Sequence, residues 1–129
     1  MFFLHQPAGD ETGPHGIDQL PFGGEAALAR VVGGRARRVM QVPSPVEPGM
    51  LEGYVLDSPP AGTPISLLVN AGNGFIALVS GDLYVFARDA AGQLRDLTVA
   101  EVDAVQLTVT PWQAVPLGLR VAGAGVEGV

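Results

Sequence analysis

The sequence predicts an all-β protein: a small antiparallel barrel or sandwich behind an extended N-terminal arm, with at most one or two short helical turns. Three observations predict it. Between about residues 50 and 121, short apolar runs alternate with Gly, Pro, Asn and Asp turn signals. The run 105–110 alternates, with Val105, Leu107 and Val109 on one face and Gln106, Thr108 and Thr110 on the other. Residues 1–24 have neither periodicity, being broken by Pro7, Pro14 and Pro21 and by Gly9, Gly13, Gly16, Gly23 and Gly24.

The elements follow in order. Residues 25–32 (EAALARVV) read as a helical turn or two, stopped by Gly33-Gly34. A strand is expected over 37–42, then an extended connection through PSPVEPG at 43–49. Residues 50–56 form the next strand, closed by the Pro/Gly turn at 58–64. Runs 65–69 and 75–79 flank NAGNG at 70–74, whose Asn73-Gly74 pair favours positive φ and a hairpin. Runs 83–87 and 94–98 flank RDAAGQ, with Gly92 placed for a left-handed position. Thr98 and Glu101 match a capping box, which predicts one helical turn over 98–103. Strands are expected again at 105–110 and 117–121.

The domain reading is accordingly an arm over 1–24, a basic linker over 25–49, a β-body over 50–123 and a tail over 124–129. The runs FIALV (75–79) and LYVFA (83–87) are apolar on both faces, so they are either central strands or strands that present one face to another subunit.

Composition bounds function. Hydrophobic residues are 47% of the chain and charged ones 16%, the balance of a folding sequence. A net charge of −6 argues against nucleic acid as a partner. That charge is uneven: −3 over residues 1–24, +3 over 25–45, where Arg30, Arg35, Arg37 and Arg38 lie, and −6 thereafter. The absence of cysteine excludes disulfides and thiolate metal sites. No run has the length of a membrane span or a signal-peptide core, so neither membrane nor secretory leader is expected.

The chemistry-bearing residues do not assemble an active site in sequence. His5, Asp10, Glu11 and His15 are metal-competent but lie in the arm, which offers no rigid tetrahedral frame. No lysine and no helix follow the 70–74 glycines, so a phosphate loop is not expected. Ser44, Ser58, Ser66 and Ser80 have no base partner, because both histidines precede the part expected to fold. Asp82, Asp89, Asp96 and Asp103 read as turn and cross-strand residues. The expectation is a protein without enzyme activity, cofactor or metal. Arg35, Arg37 and Arg38 are candidates for pairing with a partner's carboxylates, against a plain reading as the solvated, charged edge of a sheet. Trp112 beside Pro111 is expected at a sheet rim, in a core or subunit interface rather than on a sugar platform.

The layout of Gly/Pro-rich arm and β-module resembles the head decoration (cement) proteins of lambda-like tailed phages. The residues that carry the likeness run from His5-Gln6-Pro7-Ala8-Gly9-Asp10 to Gly13-Pro14-His15. The remainder matches in layout only, and the Arg30–Arg38 belt has no counterpart. The resemblance implies a structural accessory protein on the capsid surface, made in the host cytoplasm, with the major capsid protein or another virion surface as partner. Phe2, Phe3 and Leu4 would then anchor the arm, and the body would form a homo-oligomer, a trimer for preference, with Tyr84, Phe86 and Trp112 at the interface. The competing expectations are another virion component (tail, neck or head closure) and a small-molecule or carbohydrate-binding β-module.

Overall fold

A computed structural model describes residues 2–8, 17–19, 25–70, 76–106 and 108–111. The elements are β1 (Phe2–Gln6), β2 (Ile17–Gln19), α1 (Glu25–Val32), β3 (Ala36–Pro43), β4 (Met50–Leu56), β5 (Ile65–Asn70), β6 (Ile76–Ser80), β7 (Leu83–Arg88), β8 (Leu94–Arg95), α2 (Val99–Gln106) and β9 (Val109–Pro111). They make two antiparallel sheets, as an all-β reading requires. The larger has the order β2-β1-β7-β4-β3, with β8 also on β7; the smaller has the order β6-β5-β9. Among the described strands no barrel closes.

Strand β7 organises the larger sheet. It pairs with β4 along one edge, while β1 and β8 share the other, Leu4 opposite Val85 and Arg95 opposite Ala87. The junction between β1 and β8 is closed by Leu97 N–H donating to Phe2 O at 3.0 Å and Phe2 N–H donating to Asp96 Oδ1 at 2.8 Å. Both faces of β7 are buried. Leu83, Val85 and Ala87 join Leu4, Met40 and Leu51 in a core shared with Leu67, Val69 and Val79 of the smaller sheet and with Val102 and Val105 of α2. Phe86 turns the other way, into a second core with Phe3, Tyr54 and two α1 residues, Leu28 and Val32. The layers are therefore α1, the larger sheet, then the smaller sheet with α2.

This arrangement corrects the expected arm. Phe3 and Leu4 are 5% and 0% exposed, so they are core residues and not anchors at the tip of a free arm; of the three, Phe2 remains exposed. The reason is pairing: the apolar run ahead of Pro7 fills the open edge of β7, where its backbone groups find partners. Residues 25–49 likewise are no linker, since α1 and β3 are integral layers. The doubly apolar character of LYVFA arises from α1 covering the second face, so Phe86 (0% exposed) is interior and cannot serve as an oligomer contact. Tyr84 is partly covered on the same side, stacked on the ring of His5.

Helix α1 ends as its glycines require: Gly33 takes φ +91°, and the Gly33 and Gly34 N–H groups both donate to Ala29 O. Toward the C-terminus the helix won over the strand. α2 runs through Gln106, leaving only Val109–Pro111 as β9 where a strand over 105–110 is expected. The capping box launches a helix whose Val102 and Val105 reach the main core, so burial carries it past the alternating pattern. The predicted strand at 117–121, Trp112, and the tail at 124–129 lie outside the described residues.

Two substitutions test these constraints. Phe86→Ala should cost about 3–5 kcal/mol in denaturant unfolding, because it opens a cavity between β7 and α1. Gly49, at φ +118°, would drive a Cβ into the Arg88 carbonyl oxygen. Gly49→Ala should therefore destabilise the fold measurably, whereas Gly62→Ala, with nothing within 4 Å, should bear only the strain of its φ.

Candidate functional site

Arg35, Arg37 and Arg38 lie on and just before β3, the last described strand on its side of the larger sheet. Arg35 and Arg37 approach Asp57 at 3.6 and 3.9 Å through Nε, and their side chains are 89% and 56% exposed. Pairs this open contribute little and leave the guanidiniums available to other anions. Arg38, half exposed, points to the α1 side of the sheet, where it donates to Glu52 Oε2 at 3.3 Å.

Its position follows from a bulge. The β3–β4 register shifts between Arg38 and Met40, so Arg38 and Gln41, three residues apart, both reach the same carboxylate. A regular strand would put them on opposite faces. Val39 and Met40 meanwhile both pack toward the main core.

Glu52 itself is 2% exposed and fully engaged. Arg88 Nε donates to Oε1 at 2.5 Å, Tyr54 Oη donates to Oε1 at 2.7 Å and Gln41 Nε2 donates to Oε2 at 2.8 Å. Burial would raise its carboxyl, but the Arg88, Tyr54 and Gln41 hydrogen bonds outweigh burial and hold it below the usual range. Burial raises the Tyr54 hydroxyl, and a carboxylate neighbour adds to that. Glu52 thus stays ionised, the centre of a polar network beside the second core.

A second buried carboxylate, Glu101, ties three segments together. Arg95 grips it with two bonds of 2.8 and 2.7 Å, Ser44 Oγ donates at 2.5 Å, and Thr98 donates from both N–H and Oγ1 at 3.0 Å. Glu101 N–H returns a bond to Thr98 Oγ1 at 3.2 Å, completing the capping box. Burial pushes the carboxyl up, yet the bonds from Arg95, Ser44 and Thr98 prevail and lower it to about 2. Loop, β8 and α2 are clamped at one point.

The third cluster is one that sequence reasoning missed. His5 Nε2 lies 2.8 Å from Asp82 Oδ2, its ring stacked on Tyr84 at 4.7 Å and 8°, while Ala8 N–H donates to Asp82 Oδ1 at 2.8 Å. His5 was expected outside the folded part; it is a strand residue, so a histidine does sit in the fold beside a carboxylate. Burial and the Asp82 carboxylate raise the Tyr84 hydroxyl. A hollow of about 210 Å³ adjoins the pair, lined by Val32, Leu56, Pro59, Pro60, Asp82 and Tyr84 among others. His5 does not line it, and both Asp82 oxygens are already engaged. The cluster thus acts as a latch that holds the end of β1 on the β6–β7 turn. The signal for it was the Phe2-Phe3-Leu4 run; its pairing with residue 82 is too distant in sequence to read.

Among the described residues, no group of three or more His, Cys, Asp or Glu is placed to hold a metal. Asp10, Glu11 and His15 lie outside those residues. No described helix is long and apolar enough to cross a membrane. The structure therefore brings Arg35, Arg37 and Arg38 together at one sheet edge, separates them from Phe2 and buries Phe3, Leu4 and Phe86. Compared with known proteins, the chain matches no family model, no curated relative and no solved structure.

The Glu101 clamp gives a pH prediction. A carboxyl held at about 2 in the fold, against 4.5 ordinarily, stabilises the fold fully above pH 4.5 and loses that contribution as pH falls through 2. The contribution is about 3 kcal/mol. Glu101→Gln should remove the Glu101 share of the acid dependence between pH 5 and 2 in thermal melts, leaving that of Glu52, and lower the midpoint at neutral pH.

Proposed function

We propose that this chain is a structural accessory protein that docks on a larger assembly through the basic edge at β3. The observation that carries the reading is the set of exposed guanidiniums of Arg35, Arg37 and Arg38 on β3, beside which no further described strand lies, in a protein of net charge −6. Guanidiniums recognise carboxylates in bidentate, geometrically specific pairs, and Asp57 and one oxygen of Glu52 leave most of their donors to spare.

Docking is by side chains rather than by strand addition. The bulge at Val39, the arginines and the terminal Pro43 all make the β3 backbone a poor template for another strand. The partner is an acidic protein surface, and the resemblance to head decoration proteins makes the outside of a tailed-phage capsid the first surface to test. In that role the chain acts mechanically, bridging neighbouring subunits of a shell, with self-association multiplying weak single contacts. With Phe3 and Leu4 in the core, the arm anchors of the original likeness give way to the β3 edge.

A second reading is a small-molecule-binding β-module, favoured by the hollow beside Asp82 and Tyr84. Its size fits only a small fragment, and Asp82 on its wall is already engaged by His5 and Ala8, as is the Thr63 hydroxyl by Pro60 O.

Co-sedimentation with purified tailed-phage shells, alongside binding to immobilised polyglutamate, tests the first reading. The triple variant Arg35→Gln/Arg37→Gln/Arg38→Gln should keep its fold and bind both at least about tenfold more weakly. Binding by the unaltered chain should fall steeply with added salt. Binding to shells that survives the triple substitution, or that ignores salt, would overturn it.

A further inference from the structure

The connection between β3 and β4 encloses, with α2, a hollow of about 200 Å³. Val42, Pro43 and Pro45 border it from the strand and loop, and Ala104 borders it from the helix. Leu51 and Val105, both 1% exposed, reach it from the main core. Thr108 also lines it, but its hydroxyl already donates to Val105 O at 2.7 Å. The lining therefore suits an apolar guest. The volume lies below the ~300–1,000 Å³ of small-molecule sites and gives room for a single large side chain.

The rim is held before any guest enters. Ser44, between the two prolines, donates from Oγ to Glu101 Oε2 at 2.5 Å and accepts from the Val46 and Glu47 N–H groups at 3.4 and 3.1 Å. Its own N–H donates to Gly49 O at 3.1 Å. Pro43 and Pro45 fix φ on either side of it. A guest thus meets a formed cavity, and little loop entropy is lost on binding.

The strand register shows what stands beside the hollow. Residues opposite one another on paired strands share a face. Val42 is opposite Leu51 and Arg37 is opposite Val55, and Leu51 and Val55 both belong to the main core. Arg37 and Val42 therefore leave β3 on the same side, whereas Arg38, opposite Tyr54, leaves on the other. The β4 partners of Arg37 and Val42 are four residues apart, which separates the two positions by about 14 Å. Arg35 meets Arg37 at Asp57, so two exposed guanidiniums stand at one end of this face and the hollow at the other.

We propose that the hollow is the apolar socket of the β3 docking surface: it takes one phenylalanine- or leucine-sized side chain from an acidic protein segment whose carboxylates pair with Arg35 and Arg37. The inference rests on the docking reading and adds the chemistry of the partner. Charge complementarity selects the occupant, because a neutral apolar molecule would gain nothing from the two arginines beside the hollow. A buried apolar anchor flanked by polar contacts is also how interfaces concentrate their affinity.

Nuclear magnetic resonance titration of the full chain with two seven-residue peptides tests it. Each peptide has three glutamates, then three glycines, and ends in phenylalanine or in alanine; both are also made in the reverse order. The last residue lies four positions from the nearest glutamate, matching the separation on β3. The phenylalanine peptide should bind about tenfold more tightly than the alanine peptide and shift the amide signals of Ala104 and Val105. Ala104→Leu, which fills the hollow, should erase that advantage and leave the affinity of the alanine peptide unchanged, with a circular dichroism melt establishing that it folds. Arg35→Gln/Arg37→Gln should weaken both peptides alike. If the alanine peptide binds and phenylalanine adds nothing, or if its advantage survives Ala104→Leu, the socket is overturned and the docking reading stands. If neither peptide binds, both fall. A dimeric unaltered chain that Ala104→Leu dissociates would put a second copy in the hollow and overturn the proposal.

Discussion

The structure depends on burying β7 on both faces. A strand in a two-layer sandwich has one apolar face and one wet one, but Leu83, Val85, Phe86 and Ala87 are all fully buried. Meeting that demand requires a third layer, which α1 supplies with Leu28 and Val32 over Phe86, Phe3 and Tyr54. It also requires both β7 edges to be paired, which recruits β4 on one side and the first residues of the chain on the other. The N-terminal strand, the helix and the sheet order are thus three consequences of one constraint.

Polar groups pin this scaffold where apolar packing ends. Glu52 and Glu101 are buried carboxylates, and each is surrounded by charge-assisted donors, the condition under which a buried charge is tolerable. They act at different joints. Glu52 fixes the bulged part of β3 to β4 and β7, and Glu101 fixes the β3–β4 loop and β8 to α2. The bulge therefore links fold and surface. By turning Arg38 inward to Glu52 it anchors the edge strand, while Arg35 and Arg37 stay open to solvent.

Much of the fold was legible in sequence wherever local chemistry decides it. The glycine stop after Val32, the run Met50–Leu56, the left-handed Gly92 and the Thr98–Glu101 capping box all behave as their residue types require. What was not legible depends on distant partners. Phe2-Phe3-Leu4 looks like an anchor on an arm until Leu4 meets Val85, and the doubly apolar LYVFA reads equally as a central strand or an interface until α1 is laid on it and decides for the first. The alternation at 105–110 was overruled because a capped helix could bury Val102 and Val105 in the same core. Of the candidate site, the arginine cluster was visible because its members are neighbours in sequence. The His5–Asp82 latch was not, because its two halves are joined only by folding.

The most direct measurement is native-state hydrogen exchange at the backbone amides of residues 4–6, followed beside those of β7. If the first strand completes the main core, these amides should be protected to the same degree as those of Leu83–Arg88 and open only with global unfolding. Exchange at the rate of an unfolded peptide, with β7 still protected, would contradict the account, since the chain would then possess a free N-terminal arm and an open edge on its central strand.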